Sequence, residues 1–402
     1  MHCEQITLKS GQKRWVCVAD GPSDPATGKR RQIRRRAKTQ REAKKRVQEA
    51  LNQLQEYGID EKKGQKITFE QLANEWLATY ELSGVKRNTV RIREKEINIL
   101  KRFIAKTPIS LISHSMYQKI INTLITKEDY ARTTVQGVNT TAGMIFKYAV
   151  RDKLIKDNPT DGVVIPKKRK TIEEIKENPI DEMYLEREEL EEFLNAVYKH
   201  GLYLDLERFY TLAFSGMRSG ELCALQKQDL DFTKNTIDIT KTLYSETSNM
   251  RKYELTPPKT EGSIRTIEME KPIMKLLKRL VRKNDKHKLQ YRHLYEDFHD
   301  EDFVFCRDNG YPFIPKNIQM RMERILSKTS IKKDITPHSL RHTHISMLTE
   351  AGVPLPTIMR RVGHEDMETT MKIYTHVTNK MKEDASDKVR YTYGNILEKI
   401  SF

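Results

Sequence analysis

The hydrophobic periodicity of this chain breaks off between residues 158 and 184, and that break constrains the fold most. Residues that end helices and favour turns recur through the segment, namely Pro159, Gly162, Pro166 and Pro179. The chain has 402 residues, above the size at which a single hydrophobic core stops growing. We therefore expect residues 158–184 to be a linker between separately folded domains.

Residues 66–157, ahead of this break, show the periodicity of amphipathic helices. Thr68 and Gln71 form a capping-box pattern at the start of the first helix, and Gly84 is placed to end it. Ser113 is a candidate N-cap farther along. Four apolar stripes in this segment predict one compact helical domain.

Residues 1–63 combine strand-like alternation with positive charge. The segment Lys13–Val18 alternates, a turn-rich stretch follows, and the basic segment 29–38 is typical of a further strand. Thr39, followed by Glu42, predicts the start of a helix. We expect a small β-sheet packed on one helix; a disordered basic tail is the alternative.

The net charge of +17 indicates a polyanionic partner, although a basic but ordinary soluble enzyme is the alternative that charge alone leaves open. Residues 1–63 alone hold 16 Lys and Arg against 8 Asp and Glu. The run at 167–170 also resembles a nuclear-localisation signal, but we favour phosphate contacts made by a linker. The residues expected to contact DNA are Arg34, Arg35, Arg36, Lys86, Arg87, Lys167, Lys168, Arg169 and Lys170. For Lys86 and Arg87, an ordinary solvated helix face is the alternative.

Cysteines, apolar runs and the N-terminus exclude several classes of protein. The four cysteines are scattered and form no C-x-x-C pair, so we expect unpaired thiols and no zinc site. No apolar run approaches the roughly 18 residues of a membrane span. The first residues lack the apolar core of a secretory signal, which predicts a cytoplasmic protein.

From residue 185 onward helical and strand-like patterns alternate. Helical patterns are found at 187–199, 204–215 and 218–227, strand-like patterns at 236–240, 252–255 and 263–269, and helical patterns again from Lys271. We expect a helical domain with a small inserted sheet over residues 185–380. Residues 381–402 are then a tail with apolar side chains.

Two basic residues of this domain are candidates for phosphate chemistry. Arg218 begins a predicted helix just after a glycine turn, where a guanidinium and free backbone N–H groups meet an anion; an ion pair with Glu221 is the alternative. Lys259 lies in a predicted turn between two strands. An ammonium at such a hairpin tip can protonate a leaving oxygen, although a lysine in a turn is usually only solvated.

A histidine and an arginine follow the helix-start signal Thr336-Pro337. His338 and Arg341 are three residues apart, so they share one face of the helix and suit an anionic phosphate. His342 and His344 point elsewhere around the helix, and we interpret them as packing or capping residues.

Two further residues complete the polar set. His364 follows Gly363 at the predicted end of a short helix, and Tyr374 lies ten residues later. A tyrosine on an amphipathic helix is usually part of a core. The arginines, histidines and lysine that precede Tyr374 favour a catalytic role instead.

Together these residues resemble the tyrosine recombinase (phage integrase) family. The matching patterns are Gly-Met-Arg-x-Gly-Glu-Leu at 216–222, Pro-Lys-Thr-x-x-Ser-x-Arg at 258–265, His-x-Leu-Arg-His-Thr at 338–343, Gly-His at 363–364 and Ile-Tyr-Thr-His at 373–376. The likeness is specific over about residues 190–380. Residues 66–157 resemble the family's core-binding domain more loosely, and residues 1–63 resemble the arm-binding sheet of lambda-type and conjugative-transposon integrases. Ser215 and Val362 depart from the commoner Thr and Leu, at positions not expected to touch the phosphate.

The resemblance implies a multidomain, mainly α fold with a mixed α/β catalytic domain, and the activity of a site-specific DNA recombinase. Tyr374 would attack the scissile phosphate and form a 3′-phosphotyrosine. The residues that would stabilise the phosphate or move protons are Arg218, Lys259, His338, Arg341 and His364, with Glu221 orienting Arg218. The covalent link keeps the phosphodiester energy, so no nucleotide, metal or other cofactor is expected.

The resemblance also implies partners. We expect double-stranded DNA with core and arm attachment sites, a homotetramer on a Holliday junction, and DNA-bending or excision accessory proteins, in a bacterial host cell. Residues 381–402 would dock on a neighbouring subunit, unless they pack on their own domain. A type IB topoisomerase is the alternative enzyme, disfavoured by the arm-like N-terminus and the apolar tail. A DNA-binding regulator would have lost a catalytic residue, and none is missing.

Overall fold

The computed structural model describes residues 1–8, 12–21, 32–56, 61–167, 180, 183–247, 249–258, 261–363, 368, 370–381 and 386. The chain divides into two compact units, residues 1–169 and 170–402. The chain is mainly helical with a small N-terminal sheet, which confirms the expected fold class. Within the described ranges, no helix combines the length and the hydropathy that a membrane span requires.

The first unit begins with an antiparallel sheet in the order β1-β2-β3, formed by His2–Thr7, Lys13–Asp20 and Gln32–Ala37. Helix α1, Gln40–Glu56, packs on one face, and Thr39 accepts a hydrogen bond from the Glu42 N–H at 3.3 Å. The expected sheet with one helix is confirmed. The sequence does not predict β1, because this edge strand buries few side chains and so lacks a clear alternation.

The expectation of four unpaired thiols is wrong for two of the cysteines. Cys3 and Cys17 face each other across β1 and β2 and form a disulfide. The pairing depends on the register of a strand that the sequence pattern does not reveal. Cys223 is buried and Cys306 half-buried, and both are free.

Five helices follow in the first unit: α2 (Glu61–Lys66), α3 (Phe69–Leu82), α4 (Arg87–Ile104), α5 (His114–Thr126) and α6 (Arg132–Arg151). The last four share one core and confirm the predicted helical domain. The capping box of Thr68 and Gln71 is present, Ser113 caps α5, and Gly84 has a positive φ of 79° after α3. Local signals therefore set these helix ends.

The first part of the expected linker is folded onto this helical domain. Gln118 exchanges two hydrogen bonds with the backbone of Val164, at 2.8 and 2.9 Å. His114 contacts the carbonyl of Pro159 at 3.1 Å, and Val163 and Ile165 pack against the core. The boundary placed at residue 158 is therefore wrong, because a proline that ends a helix does not end the packing of the chain.

The second unit opens with three helices, α7 (Arg187–His200), α8 (Asp205–Ser215) and α9 (Ser219–Cys223). Five short strands follow, namely β4 (Leu230–Asp231), β5 (Thr236–Ile239), β6 (Thr242–Tyr244), β7 (Glu254–Thr256) and β8 (Arg265–Glu268). Then come α10 (Lys271–Tyr291), α11 (Pro315–Leu326), α12 (Pro337–Glu350) and α13 (Leu355–Val362). Residues 370–381 are also helical.

The strands do not form the simple hairpin that the sequence suggests around Lys259. β8 pairs with β5, whereas β7 pairs with β6. Two arms therefore run antiparallel, β5–β6 and β7–β8, and the described residues between β6 and β7 are 245–247 and 249–253. Pairing partners decide this, and strand-like runs alone do not reveal them. β7 ends at Thr256 and β8 begins at Arg265, and Lys259, between them in the sequence, lies outside the described residues.

Candidate functional site

Arg218 stands where helix α8 gives way to α9. Gly216 ends α8 in the left-handed region, with φ of 64°, and Arg218 takes the N-cap position of α9. Its Nη1 donates to Oε1 of Glu221 at 2.7 Å, and its backbone N–H donates to Oε2 at 3.0 Å. About a third of the Arg218 side chain remains exposed. The ion pair and the exposed guanidinium coexist, so the two interpretations of Arg218 are not exclusive.

Arg341 lies beneath this position and is fully buried. It comes from α12, and its Nη1 donates to the carbonyl of Gly216 at 2.7 Å while Nη2 donates to the carbonyl of Val362. Burial, followed by the positive charge of Arg218, lowers the pKa of Arg341 well below its ordinary value. Holding a guanidinium here costs free energy that an incoming phosphate would recover.

The C-terminus of α13 organises three arginines. Its last carbonyls lack helical partners, and they accept from arginines of three different elements. Arg265 Nε donates to the carbonyl of residue 361 at 2.8 Å, Arg341 to that of Val362, and Arg218 Nη2 to that of Gly363 at 3.4 Å. The negative end of the helix dipole favours this gathering of positive charge. We call residues 361–363 the carbonyl frame.

Glu221 balances part of this charge. It is buried, and besides Arg218 it accepts from Arg265, Nη2 to Oε2 at 2.9 Å and Nη1 to Oε1 at 3.4 Å. Burial alone would raise the pKa of Glu221, but hydrogen bonds and charge from Arg265, then from Arg218, hold it below its usual value. One carboxylate thus fixes the orientation of two arginines.

His338 lies at the rim of the site, one helical turn before Arg341. Desolvation, then the positive charges of Arg341 and Arg218, lower its pKa to about 4. Because the His338 side chain is exposed, the charges of Arg341 and Arg218 contribute more to this lowered pKa than desolvation does. Its ring meets the buried ring of His342 edge-on at 4.7 Å between centroids. A neutral imidazole at this place can accept a proton near neutral pH.

His344 is a structural residue, as the sequence predicts. Its Nδ1 contacts the carbonyl of Ala213 at 3.1 Å, and Arg361 Nε donates to its Nε2 at 3.0 Å. Because an arginine only donates, Nε2 must accept and Nδ1 must carry the proton. Burial, followed by the charge of Arg361, lowers the pKa of His344 to about 3. The neutral ring ties α8 and α12 to the end of α13.

Tyr374 lies in the helix at 370–381 and is half-buried. Its side chain packs against a cluster that includes Ile345, Val362 and Ile373. Val362 belongs to the carbonyl frame, so the tyrosine helix packs on the segment that holds the arginines. Lys380, near the end of that helix, pairs with Glu186 at the start of α7.

Not every predicted site residue falls in the described part of the chain. Lys259 and His364 lie outside it, as do the basic residues at 168–170 and most of the tail at 382–402. Lys167 and Arg87 are exposed. Lys86 is half-buried and occupies the N-cap position of α4 without a capping hydrogen bond from its side chain.

The three predicted arginines of β3 do not share one face. Arg34 and Arg36 are exposed, whereas Arg35 is half-buried on the face of Ile33 and Ala37, which turns toward α1. Arg34 and Arg36 therefore share one face of the strand and Arg35 lies on the other, because successive side chains of a strand alternate between its faces. Arg34 lies 3.6 Å from Glu4 of β1.

Sequence reasoning overlooked two members of the site, Arg265 and Arg361. Arg265 ends the pattern that drew attention to Lys259, so its presence in that pattern was an available signal. Its contacts join β8, α9 and α13, which are far apart along the chain. Arg361 carries no local signal, since its partner His344 lies on another helix.

Comparisons with known proteins bear directly on this arrangement. The model of the phage integrase family matches residues 183–381, and that of the phage integrase N-terminal SAM-like domain matches residues 68–125. The prophage ps2 probable integrase of Lactococcus lactis subsp. lactis is 31% identical over 353 residues, which cover 86% of this chain and 88% of that protein. The chain belongs to the phage integrase family. It is a tyrosine recombinase, an enzyme that breaks and rejoins DNA strands for site-specific recombination of a prophage or mobile element.

Two solved integrase structures share the fold. The Tn1549 transposon integrase in complex with transposon right end DNA matches with a TM-score of 0.62 and 21% identity, over 80% of this chain and all of that one. A lambda integrase tetramer bound to a Holliday junction matches with a TM-score of 0.54 and 15% identity, over 92% and 94% of the two chains. The domain that carries the carbonyl frame is therefore an integrase catalytic fold.

Proposed function

We propose that this recombinase cleaves DNA through Tyr374. The tyrosine oxygen attacks the scissile phosphorus, the Oη–P bond forms, and the bond to the 5′ oxygen breaks, leaving a 3′-phosphotyrosine and a 5′-hydroxyl. The strand is rejoined when the 5′-hydroxyl of a partner strand reverses these steps. The observation that carries the proposal is the carbonyl frame, which gathers Arg218 and Arg341 and packs against the helix of Tyr374.

The arginines supply charge stabilisation in this scheme. The phosphodiester gains one negative charge on the way to the five-coordinate transition state, and the partly exposed Arg218 and the buried Arg341 stabilise that charge. Glu221 and Arg265 position them. In this scheme His338 and His364 stabilise the non-bridging oxygens, neutral His338 receives the tyrosine proton, and Lys259 protonates the 5′ oxygen. The energy stays in the covalent link, so no nucleotide or metal is needed.

The remaining domains hold the substrate. Residues 66–157 and the catalytic domain bind core-type DNA, residues 1–63 bind arm-type sites, and Lys86, Arg87 and the run at 167–170 contact phosphates. Recombination of two duplexes requires four cleavages, which favours a homotetramer joined by residues 381–402. The lambda integrase tetramer on a Holliday junction supports this assembly by likeness of fold. We place the protein in the bacterial cytoplasm, where accessory proteins bend or direct the DNA.

The test is a suicide substrate that carries the crossover site of the element and a nick that traps the covalent intermediate. The wild-type chain should form a protein–DNA adduct resistant to denaturant, and Tyr374→Phe should form none while binding DNA within a few-fold of wild type. A matched control is Tyr198→Phe, which removes an exposed phenol of α7. An adduct of normal yield from Tyr374→Phe would overturn the assignment.

A further inference from the structure

Helix α10 has two sharply different faces. Its apolar side chains, which include Ile273, Leu277 and Leu280, are buried in the core of the second unit. Seven exposed side chains between Lys271 and Lys286 are basic, whereas the exposed residues at the C-terminal end of the helix, Leu289, Gln290 and Tyr291, are not; the seven are Lys271, Lys275, Lys278, Arg279, Arg282, Lys283 and Lys286. We call these seven residues the α10 basic face.

The charges of this face are not neutralised within the described part of the chain. The helix has one acidic residue, Asp285, and Lys227 binds it at 2.8 Å. Lys288, on the other side of the helix, pairs with Asp300 and Asp302. Among the described residues no carboxylate lies within 4 Å of the seven. Lys278 and Lys283 instead lie over the rings of Phe232 and Tyr203, which leaves their charge in place.

This distribution of charge opposes the stability of the helix. Like charges three or four residues apart repel, and the seven residues contain many such pairs, such as Lys275 with Arg279 and Arg282 with Lys286. The first turn, at the positive end of the helix dipole, holds Lys271 and no acidic residue. In helix α7, by contrast, a basic residue is paired with an acidic residue four positions later, Arg187 with Glu191. The concentrated positive charge of the α10 basic face does not stabilise the fold. It therefore indicates a role in binding a polyanionic ligand.

We propose that the α10 basic face binds the phosphate backbone of duplex DNA, in addition to the phosphate held at Arg218 and Arg341. From Lys271 to Lys286 the face is about 22 Å long at 1.5 Å per residue, which spans about two-thirds of a turn of B-DNA. Its seven positions offer charge but no amide or aromatic group to read a base, so the contact is independent of sequence. An acidic protein would need large apolar anchors, and the helix exposes such side chains only beyond Lys286, at Leu289 and Tyr291.

The contact deepens the proposed function, because it would hold DNA beyond the cleaved phosphate. The test variant combines Lys275→Gln, Arg279→Gln and Lys286→Gln, since glutamine is a good helix former. The control combines Lys199→Gln, Lys328→Gln and Lys332→Gln, which removes the same charge from exposed positions elsewhere in the unit. Circular dichroism first checks that both variants keep the helical content and melting temperature of wild type.

Binding is then measured to a duplex of arbitrary sequence and to the crossover duplex with long flanks, each over a range of salt concentrations. The α10 variant should lose at least tenfold in affinity for both duplexes at 0.1 M salt. Its slope of log K against log salt should become shallower by about 2 to 3, because each phosphate that the variant no longer neutralises accounts for about 0.9 of the slope. The control should match wild type.

Equal slopes for the α10 variant, the control and wild type would overturn the proposal, and would leave an acidic protein as the partner to be sought. A wild-type chain that binds with the steep slope but yields no tyrosine adduct would contradict the cleavage chemistry and not the α10 contact. The two proposals therefore fail on different readouts.

Discussion

Arg341 illustrates how the site prepares for an anion before DNA arrives. A buried guanidinium is costly, and the Arg341 guanidinium donates to the carbonyls of Gly216 and Val362. Both carbonyls are neutral acceptors. Glu221 sits one step away and binds Arg218 and Arg265 instead. In the proposed mechanism, the positive charge of Arg218 and Arg341 stabilises the phosphate.

Glu221→Gln tests whether the Glu221 carboxylate stabilises and positions Arg218 and Arg265. The amide keeps the shape of the side chain but leaves Arg218 and buried Arg265 without a counter-charge, so the free energy of unfolding should fall by about 3 kcal/mol. Adduct formation should slow at least tenfold. Denaturant unfolding and single-turnover cleavage give the two values. The control Glu188→Gln changes an exposed carboxylate and should stay within about 0.5 kcal/mol of wild type.

His344 predicts a loss of stability in acid. Its pKa is about 3 in the folded chain and about 6.5 when unfolded, so only the unfolded state takes up the proton between these values. Stability is complete above pH 6.5 and falls as the pH drops toward 3. Between pH 7.5 and 5 this one residue should cost about 2 kcal/mol.

The measurement for His344 is hydrogen exchange of α8 and α12 at pH 7.5 and 5, corrected for the intrinsic rates. His344→Gln should reduce the difference in the free energy of unfolding between pH 7.5 and pH 5 by about 2 kcal/mol. His200→Gln, at an exposed position, should leave that difference unchanged. A wild-type pH dependence in the His344 variant would show that other groups cause the acid loss.

The proposed chemistry depends on the C-terminus of α13, whose carbonyls accept from three arginines. Gly363 has φ of 65°, and a Cβ there would lie 2.9 Å from Nη1 of Arg265. Gly352 ends α12 with φ of 75° and open space around it. The two glycines therefore share the backbone requirement, and only Gly363 also touches the site.

Alanine substitutions at Gly363 and Gly352 distinguish the effect of backbone strain from the effect of displacing Arg265. Gly363→Ala and Gly352→Ala should each lose about 1 to 2 kcal/mol of stability, because an alanine is strained at positive φ. Only Gly363→Ala should also slow adduct formation, by tenfold or more at saturating DNA, since the methyl group displaces Arg265. Equal cleavage rates for the two variants would mean that the carbonyl frame tolerates the displacement.

The same elements show what a sequence can predict. Helix ends with their own signals, such as the Thr68 capping box and Gly363, were predictable because cap and turn chemistry is local. The packing of Val163 and Ile165, the pairing of β7 with β6 and the role of Arg265 were not. Each depends on contacts between segments distant in sequence. A local residue pattern does not show which distant segment packs or pairs against it.

For the whole molecule, the N-terminal sheet raises the question of two separate DNA contacts. It has its own core around Cys17, Ile33 and Val47, distinct from the core of the helical domain. Gly64 in α2 belongs with the latter, since a Cβ there would lie 2.4 Å from the carbonyl oxygen of Leu154. A clean truncation therefore begins at residue 61, ahead of α2, and not at Gly64.

The 61–402 fragment should still bind and cleave core-type DNA, because in the proposed function the helical and catalytic domains hold that duplex. It should lose protection of flanking arm sites, and with it efficient recombination. Footprinting of the fragment and the full chain on a complete attachment site gives the comparison. Within the full chain, Arg34→Gln with Arg36→Gln should weaken arm-site binding and flatten its salt dependence by about 2. Arg35→Gln should change it less, because Arg35 faces α1. Identical footprints from the fragment and the full chain would mean that residues 1–60 do not recognise arm sites.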